Sequence, residues 1–318
     1  MFLFTLTRLV YLGVVLVVMS ILVFLITQAM PGDVAHLIAG QFASKEVVEA
    51  ISIKLGLDQP LIVQYGRWAA GILHGDLGRS LTLEQAIAPI VIEALIRSLV
   101  LAVSALFIVA VLGIGLGVLA AVRRGKLSDQ MVSGISYIGI AVPDFFWAIL
   151  LILVFGSYLQ LLPTGGYAPI SDGFLAWAKH LILPVITLVL MMLARVARLT
   201  RSSMIDVLQT NYVKYARAKG MPERVVIFRH ALKNALLPTI TVLAINFGWI
   251  LGGVVVIETV FSYPGLGRLL LFAIQRHDLP LIQATILLVS TAYCLANLVA
   301  DLLYAFVNPK IRHSMSNN

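Results

Sequence analysis

The sequence predicts an all-α integral membrane protein with six transmembrane helices and both termini in the cytoplasm. Three observations predict it. Of 318 residues, 60% are hydrophobic and only 12% are charged, whereas a soluble domain carries about a quarter charged residues. The apolar residues gather into six runs long enough to span, since a crossing takes ~20 residues. The basic residues lie in the gaps between those runs. The net charge of +8 therefore follows membrane topology, and nucleic acid is not expected as a partner.

The runs fall near 9–29, 98–122, 133–160, 181–199, 236–259 and 281–307. The first, Leu9 to Ala29, exceeds the ~7–15 residue core of a signal peptide. Its cleavage would leave five spans and disturb the charge alternation, so a retained first helix is expected. The second carries Gly113, Gly115 and Gly117. The spacing of Gly113 and Gly117 suits close helix packing, within the chain or against a partner. The third is interrupted by Pro143 and Asp144. Asp144 is the one carboxylate placed near the bilayer centre, where a charge is costly enough to point to function, here in lining or gating a path. The competing reading is that Pro143 breaks the helix and Asp144 caps its restart. In the fifth, Gly252-Gly253 suits close packing or bending. Glu258 and Asp301 lie near segment ends and read as structural.

Fifteen of the 23 basic residues fall on one side of this scheme. They are Arg8, the Arg123/Arg124/Lys126 cluster, nine residues from Arg195 to Lys233, and Lys310 with Arg312. Of the other eight, five lie in the long 30–97 region, where the positive-inside rule is weaker. That region carries seven acidic and five basic residues, with turns at Pro31-Gly32-Asp33, Asp58-Gln59-Pro60 and Gly75-Asp76-Leu77-Gly78. Short helices are expected near 44–55 and 60–73. The chain thus divides into a first helix (1–29), an external cap (30–97) and a five-helix core (98–318).

The core contains a basic insert at 200–235. Ile205, Leu208, Tyr212 and Tyr215 follow helical spacing, and so do Val225, Phe228, Leu232 and Ala235. Between them, Gly220 suits a left-handed helix stop and Pro222 the first turn of a new helix. Pro238 marks the start of the next span. Solvated positive charge alone would not need two amphipathic stripes and a Gly/Pro corner. The pattern points to a surface that docks a partner.

Catalysis finds no support. The chain lacks a Gly-x4-Gly-Lys-Ser/Thr phosphate loop and so does not hydrolyse ATP itself. The six histidines, His36, His74, His180, His230, His277 and His313, include no i, i+4 pair, which argues against a preformed metal site. A chelated metal as cargo stays open. The single cysteine, Cys294, excludes an intramolecular disulfide framework.

Tyr215-Ala-Arg-Ala-Lys-Gly-Met-Pro-Glu-Arg224, followed by Arg229-His-Ala-Leu-Lys-Asn-Ala-Leu-Leu-Pro238, resembles the coupling loop of ABC-importer permeases, in the dipeptide, oligopeptide and nickel branch. The generic importer loop has Glu-Ala-Ala, three residues, then Gly. Here Lys214 and Tyr215 stand in the first two places, while Ala216 and Gly220 match. Further similarity lies in Met30-Pro-Gly-Asp33, Leu55-Gly-Leu-Asp-Gln-Pro60, Gly75-Asp-Leu-Gly-Arg-Ser80, Arg198-Leu-Thr-Arg-Ser-Ser-Met204, Glu258 through Gly267, and Asn308-Pro-Lys-Ile-Arg312. With the long 30–97 region, these resemble the B-type, first membrane subunit.

The resemblance implies a type I importer architecture and a permease that forms half of a translocation path for small peptides. The partners it implies are a second permease, two cytoplasmic ATPases, a periplasmic or lipid-anchored binding protein, and membrane lipid. No cofactor is expected in this chain, and ATP and Mg belong to the ATPases. The implied coupling residues are Tyr212, Tyr215, Ala216, Arg217, Ala218, Lys219, Gly220 and Arg224. Among these, Ala216 and Gly220 would allow close approach, and Arg217, Lys219 and Arg224 would supply charge contacts. A nickel or metal-chelate permease of the same branch is the alternative. A stand-alone secondary transporter or a membrane scaffold is the alternative of another class.

Overall fold

The computed structural model describes residues 2–29, 44–56 and 58–307. The Met30–Asp33 and Asn308–Arg312 motifs, with His36 and His313, lie outside the described residues. The order is α1 (Phe2–Gln28), α2 (Lys45–Leu55), α3 (Leu61–Leu73), α4 (Ile87–Val122), α5 (Leu127–Ala141) and α6 (Asp144–Leu151). It continues through α7 (Phe174–Leu208), α8 (Asn211–Ala218), α9 (Leu232–Gly253), α10 (Val255–Val260), α11 (Leu266–Gln275) and α12 (Leu279–Val307). A wide π turn, Ile152–Tyr158, extends α6, and a helical turn (Glu223–Val225) with a second π turn (Val226–Ala231) leads into α9.

Five helices are long and apolar enough to cross a membrane: α1, α4, α7, the run Glu223–Gly248 and α12. The sixth expected crossing is not a straight helix. Its two halves, Leu127–Ala141 and Phe145–Tyr158, meet at a bend of 106°. Pro143 explains the break, because it lacks an N–H and drives the preceding residue out of helical conformation. Val142 accordingly sits at φ −94°, ψ 128°. Other boundaries also shift. Helix α4 starts at Ile87 rather than near 98. The fifth span ends at Gly253 and resumes as α10 after Val254, so the Gly252-Gly253 pair sits at a break.

The deepest packing joins α4 to α7. A Cβ added at Gly113 would come 2.8 Å from Val196 Cγ1, and one at Gly117 2.6 Å from the Ala197 carbonyl oxygen. These glycines therefore bring two helices of the same chain together, while Gly115 has open space around it. Helix α1 runs antiparallel to α12. At one end Gln283 Nε2 donates to Thr27 Oγ1 at 2.7 Å, and at the other Arg8 pairs with Asp301 at 3.0 Å.

Two buried carboxylates tie the end of the bundle remote from the basic insert. Glu258 accepts from Ser98 Oγ at 2.5 Å, Gly267 N–H at 2.8 Å and Arg268 N–H at 3.1 Å. It thereby caps α11 from a neighbouring helix. Its side chain is fully buried, which fits a structural role. Asp278 caps α12 through the Leu281 N–H, and also accepts from Ser80 Oγ at 2.5 Å and the Thr82 N–H at 3.0 Å. The Gly75–Ser80 motif is held to the core in this way. The Tyr263–Gly267 turn is packed rather than free: Tyr263 is fully buried and donates to the Arg97 carbonyl.

Candidate functional site

The insert folds as a compact unit on the end of the bundle that carries the basic residues. Helix α7 runs on to Leu208 and stops, and α8 begins at Asn211. Helix α8 ends with Lys219 as its cap, and Gly220 follows at φ +73°. Gly220 N–H reaches the Arg217 carbonyl at 2.9 Å and Met221 N–H the Ala216 carbonyl at 3.3 Å. This double closure is the glycine-dependent helix stop that the sequence predicts. Pro222 then takes the cap position of the next turn, one place earlier than expected.

The two amphipathic stripes need correction. Because the helix breaks at Gln209–Thr210, Ile205, Leu208, Tyr212 and Tyr215 do not share one continuous face. On α8 the inward pair is Val213 and Ala216. In the second arm the buried residues are Val226, Ile227, Ala231 and Ala235 rather than Val225 and Phe228. The cause is the π turn over Val226–Ala231, which inserts extra residues per turn and rotates the apolar register. Nor is Pro238 at the start of a span, because it lies inside α9.

These inward residues form one apolar cluster with Met204 of α7 and Ala121 of α4. Beneath it, Thr200 and Thr239 share a buried hydrogen bond of 3.1 Å. Arg201 clamps the neighbouring helix start with two bonds to Asp129, at 2.5 and 2.8 Å, while Gly125 N–H donates to the same carboxylate. Sequence reading gave Arg201 only a topological role, since its partner lies 72 residues away.

The outer surface of the insert shows large apolar groups among cations. Tyr215 is 70% exposed and Phe228 62% exposed, with Met221 also exposed. Lys214, Ala218, Lys219, Arg224 and Arg229 are exposed as well. Tyr212 is turned back: its hydroxyl accepts from Asn234 at 2.8 Å and donates to the His230 carbonyl at 3.3 Å. Arg217 bridges the Gly220 corner to Glu223 at 2.6 Å. That bond raises the Arg217 pKa above its ordinary value. Ala216 faces the chain's own core, so its small side chain serves internal packing. Around Gly220 a Cβ would meet nothing in this chain, so φ alone demands glycine there.

Asp144, the other expected site residue, is the first residue of α6. Pro143 holds the cap position, so Asp144 stands one place inside the helix rather than at its cap.

Two sequence families match this chain. Residues 113–313 match the binding-protein-dependent transport system inner membrane component, and residues 1–92 match the N-terminal part of such membrane components. The chain belongs to this permease family. A protein named as a peptide transport system permease in Brucella abortus (strain 2308) is 42% identical over 94% of this chain and 95% of its own length. The glutathione transport system permease of Escherichia coli (strain K12) is 41% identical over 94% and 95%. A chain of the inward-facing MetNI methionine ABC transporter shares the fold, with a TM-score of 0.56 at 16% identity, over 69% of this permease and 96% of that chain. The permease is accordingly an integral inner-membrane transport protein.

Proposed function

We propose that this permease forms half of a translocation path with a second permease, and that its insert docks on one of two cytoplasmic ATPases. One observation carries the reading. An exposed surface of Tyr215, Met221 and Phe228, set among cations, stands on a cluster shared with α4, α7 and the start of α9. Docked groups of this type supply aromatic anchors with flanking charge. Lys219 and Arg224 present exposed charge at the surface, and Arg217 presents its pair with Glu223. A displacement of the insert reaches three membrane helices through Ala121, Met204 and Ala235, because a close-packed cluster transmits strain. ATP and Mg are handled by the ATPases, and this chain receives the motion.

The cargo we propose is a small peptide, delivered by a periplasmic or lipid-anchored binding protein. Full-length relatives named for peptide and glutathione transport support it. Purification of the tagged chain in mild detergent tests the assembly. Co-purification of an ATP-binding subunit and a second permease is expected, and recovery of the chain without either contradicts it.

Asp144 is proposed to line or gate the path, since it stands where the third crossing breaks and bends by 106° and a carboxylate within a crossing is costly enough to point to function. Asp144→Asn is expected to lower uptake with unchanged assembly; normal uptake removes the role.

A further inference from the structure

Helix α3 has the wrong surface for a water-exposed cap. Its sequence, Leu-Ile-Val-Gln-Tyr-Gly-Arg-Trp-Ala-Ala-Gly-Ile-Leu, holds one charge and no acidic residue. None of its residues is buried. Ile62, Gly66, Ala69 and Leu73 follow spacings of four, three and four, and so share a face. Ile62 is 80% exposed and Leu73 87% exposed at the ends of that face. The adjoining face packs on α1: the Tyr65 and Trp68 rings lie 5.5 and 5.7 Å from Phe24. Arg67 lies on the opposite side, beside the Gly56 corner that ends α2.

The contacts with α1 fix the depth of α3. The apolar run Leu9–Ala29 is about 31 Å long at 1.5 Å per residue, which matches a ~30 Å hydrocarbon core. The Tyr65 hydroxyl shares a hydrogen bond of 2.9 Å with Ser20 Oγ. Ser20 lies eight residues before the end of α1 at Gln28, or about 12 Å inward along the helix. A tyrosine side chain is too short to span that depth from water. Nearer the end of α1, Gln28 donates to Gln64. On α1 itself Val17, Val18, Ile21, Leu22 and Ile26 are exposed as well.

We propose that α3 is a monotopic membrane helix. It lies in the leaflet remote from the basic insert, with its Ile62/Leu73 face against acyl chains and its Arg67 side toward water. On the charge asymmetry that leaflet is the outer one. The Tyr65 side chain then reaches from α3 inward along α1 to Ser20, and the helix itself is buried as other interfacial helices are. The segment between the first and second spans is thus partly a membrane element.

The test uses the full chain in open membrane fragments, so that both faces meet the reagent. Ile62→Cys and Leu73→Cys are compared with Asp58→Cys as the water reference and Val18→Cys as the lipid reference. All four replace exposed side chains, and the wild-type chain supplies the Cys294 background. An impermeant maleimide is expected to label positions 62 and 73 at least about tenfold more slowly than position 58, as suits groups within the acyl boundary. A bimane attached at 62 or 73 through a permeant reagent is expected to be quenched by nitroxide-bearing phospholipid. Labelling as fast as at 58 overturns the proposal, because the face is then in water. Slow labelling without lipid quenching also overturns it, because a docked protein then covers the face.

Discussion

A chain carrying Tyr215→Ala and Phe228→Ala together is expected to reach the membrane at wild-type abundance and to lose most of its uptake. Both side chains are exposed, so their truncation opens no cavity in the chain's own cluster. Surface changes of that kind stay within about 0.5 kcal/mol of neutral stability. If the two rings are anchors of a docked ATPase, each removal costs about 2 kcal/mol of association or more. That corresponds to at least about tenfold in affinity, since 1.4 kcal/mol is one decade. Uptake normalised to the amount of chain in the membrane reads the effect. Normalised uptake at the wild-type level would remove Tyr215 and Phe228 from the docking surface.

Glu258→Ala is expected to act in the opposite way, by lowering the amount of folded chain. It strips the acceptor from Ser98 Oγ and from the Gly267 and Arg268 N–H groups in a site closed to water. Each buried donor left unpaired costs about 1–3 kcal/mol, so the total loss is about 3 kcal/mol or more. Glu258→Gln keeps one acceptor oxygen but turns an NH2 group toward the donors, so an intermediate loss is expected. The melting temperature in detergent should fall in the order wild type, Gln, Ala. An Ala variant as stable as the wild type would contradict the capping role. Gly265 and Gly267 belong to the same device. A Cβ at Gly265 would overlap the Glu258 carboxylate, and one at Gly267 would come 2.6 Å from Val255 Cα.

The crossings were legible because charge is so sparse in this chain that its apolar runs stand out by length alone. The corner at Gly220–Pro222 was legible too, since a positive φ and a missing N–H each select their residue. Pro143 announced an interruption of the third span, but not that the two halves would meet at 106°. The inner face of the insert was misread for a local reason. Tyr212 and Tyr215 outweigh Val213 and Ala216 in size, yet close packing against Met204 and Ala121 selects the smaller pair. In the second arm, the π turn moves the apolar register away from any fixed helical period. The cap at Glu258 and the tie of Asp278 to Ser80 left no local pattern, because the Ser98 and Ser80 hydroxyls bound there lie 160 and 198 residues away.

The central claim is that the Tyr215/Phe228 surface of the insert is where the ATPase sits. A photo-crosslinking amino acid placed at 215, at 228 and at the exposed Leu83 of the opposite end measures it directly. Illumination of whole membranes is expected to join positions 215 and 228 to an ATP-binding subunit, with no such adduct from position 83. Adducts at 83 but not at 215 or 228, or no ATP-binding subunit joined at either insert position, would contradict the account.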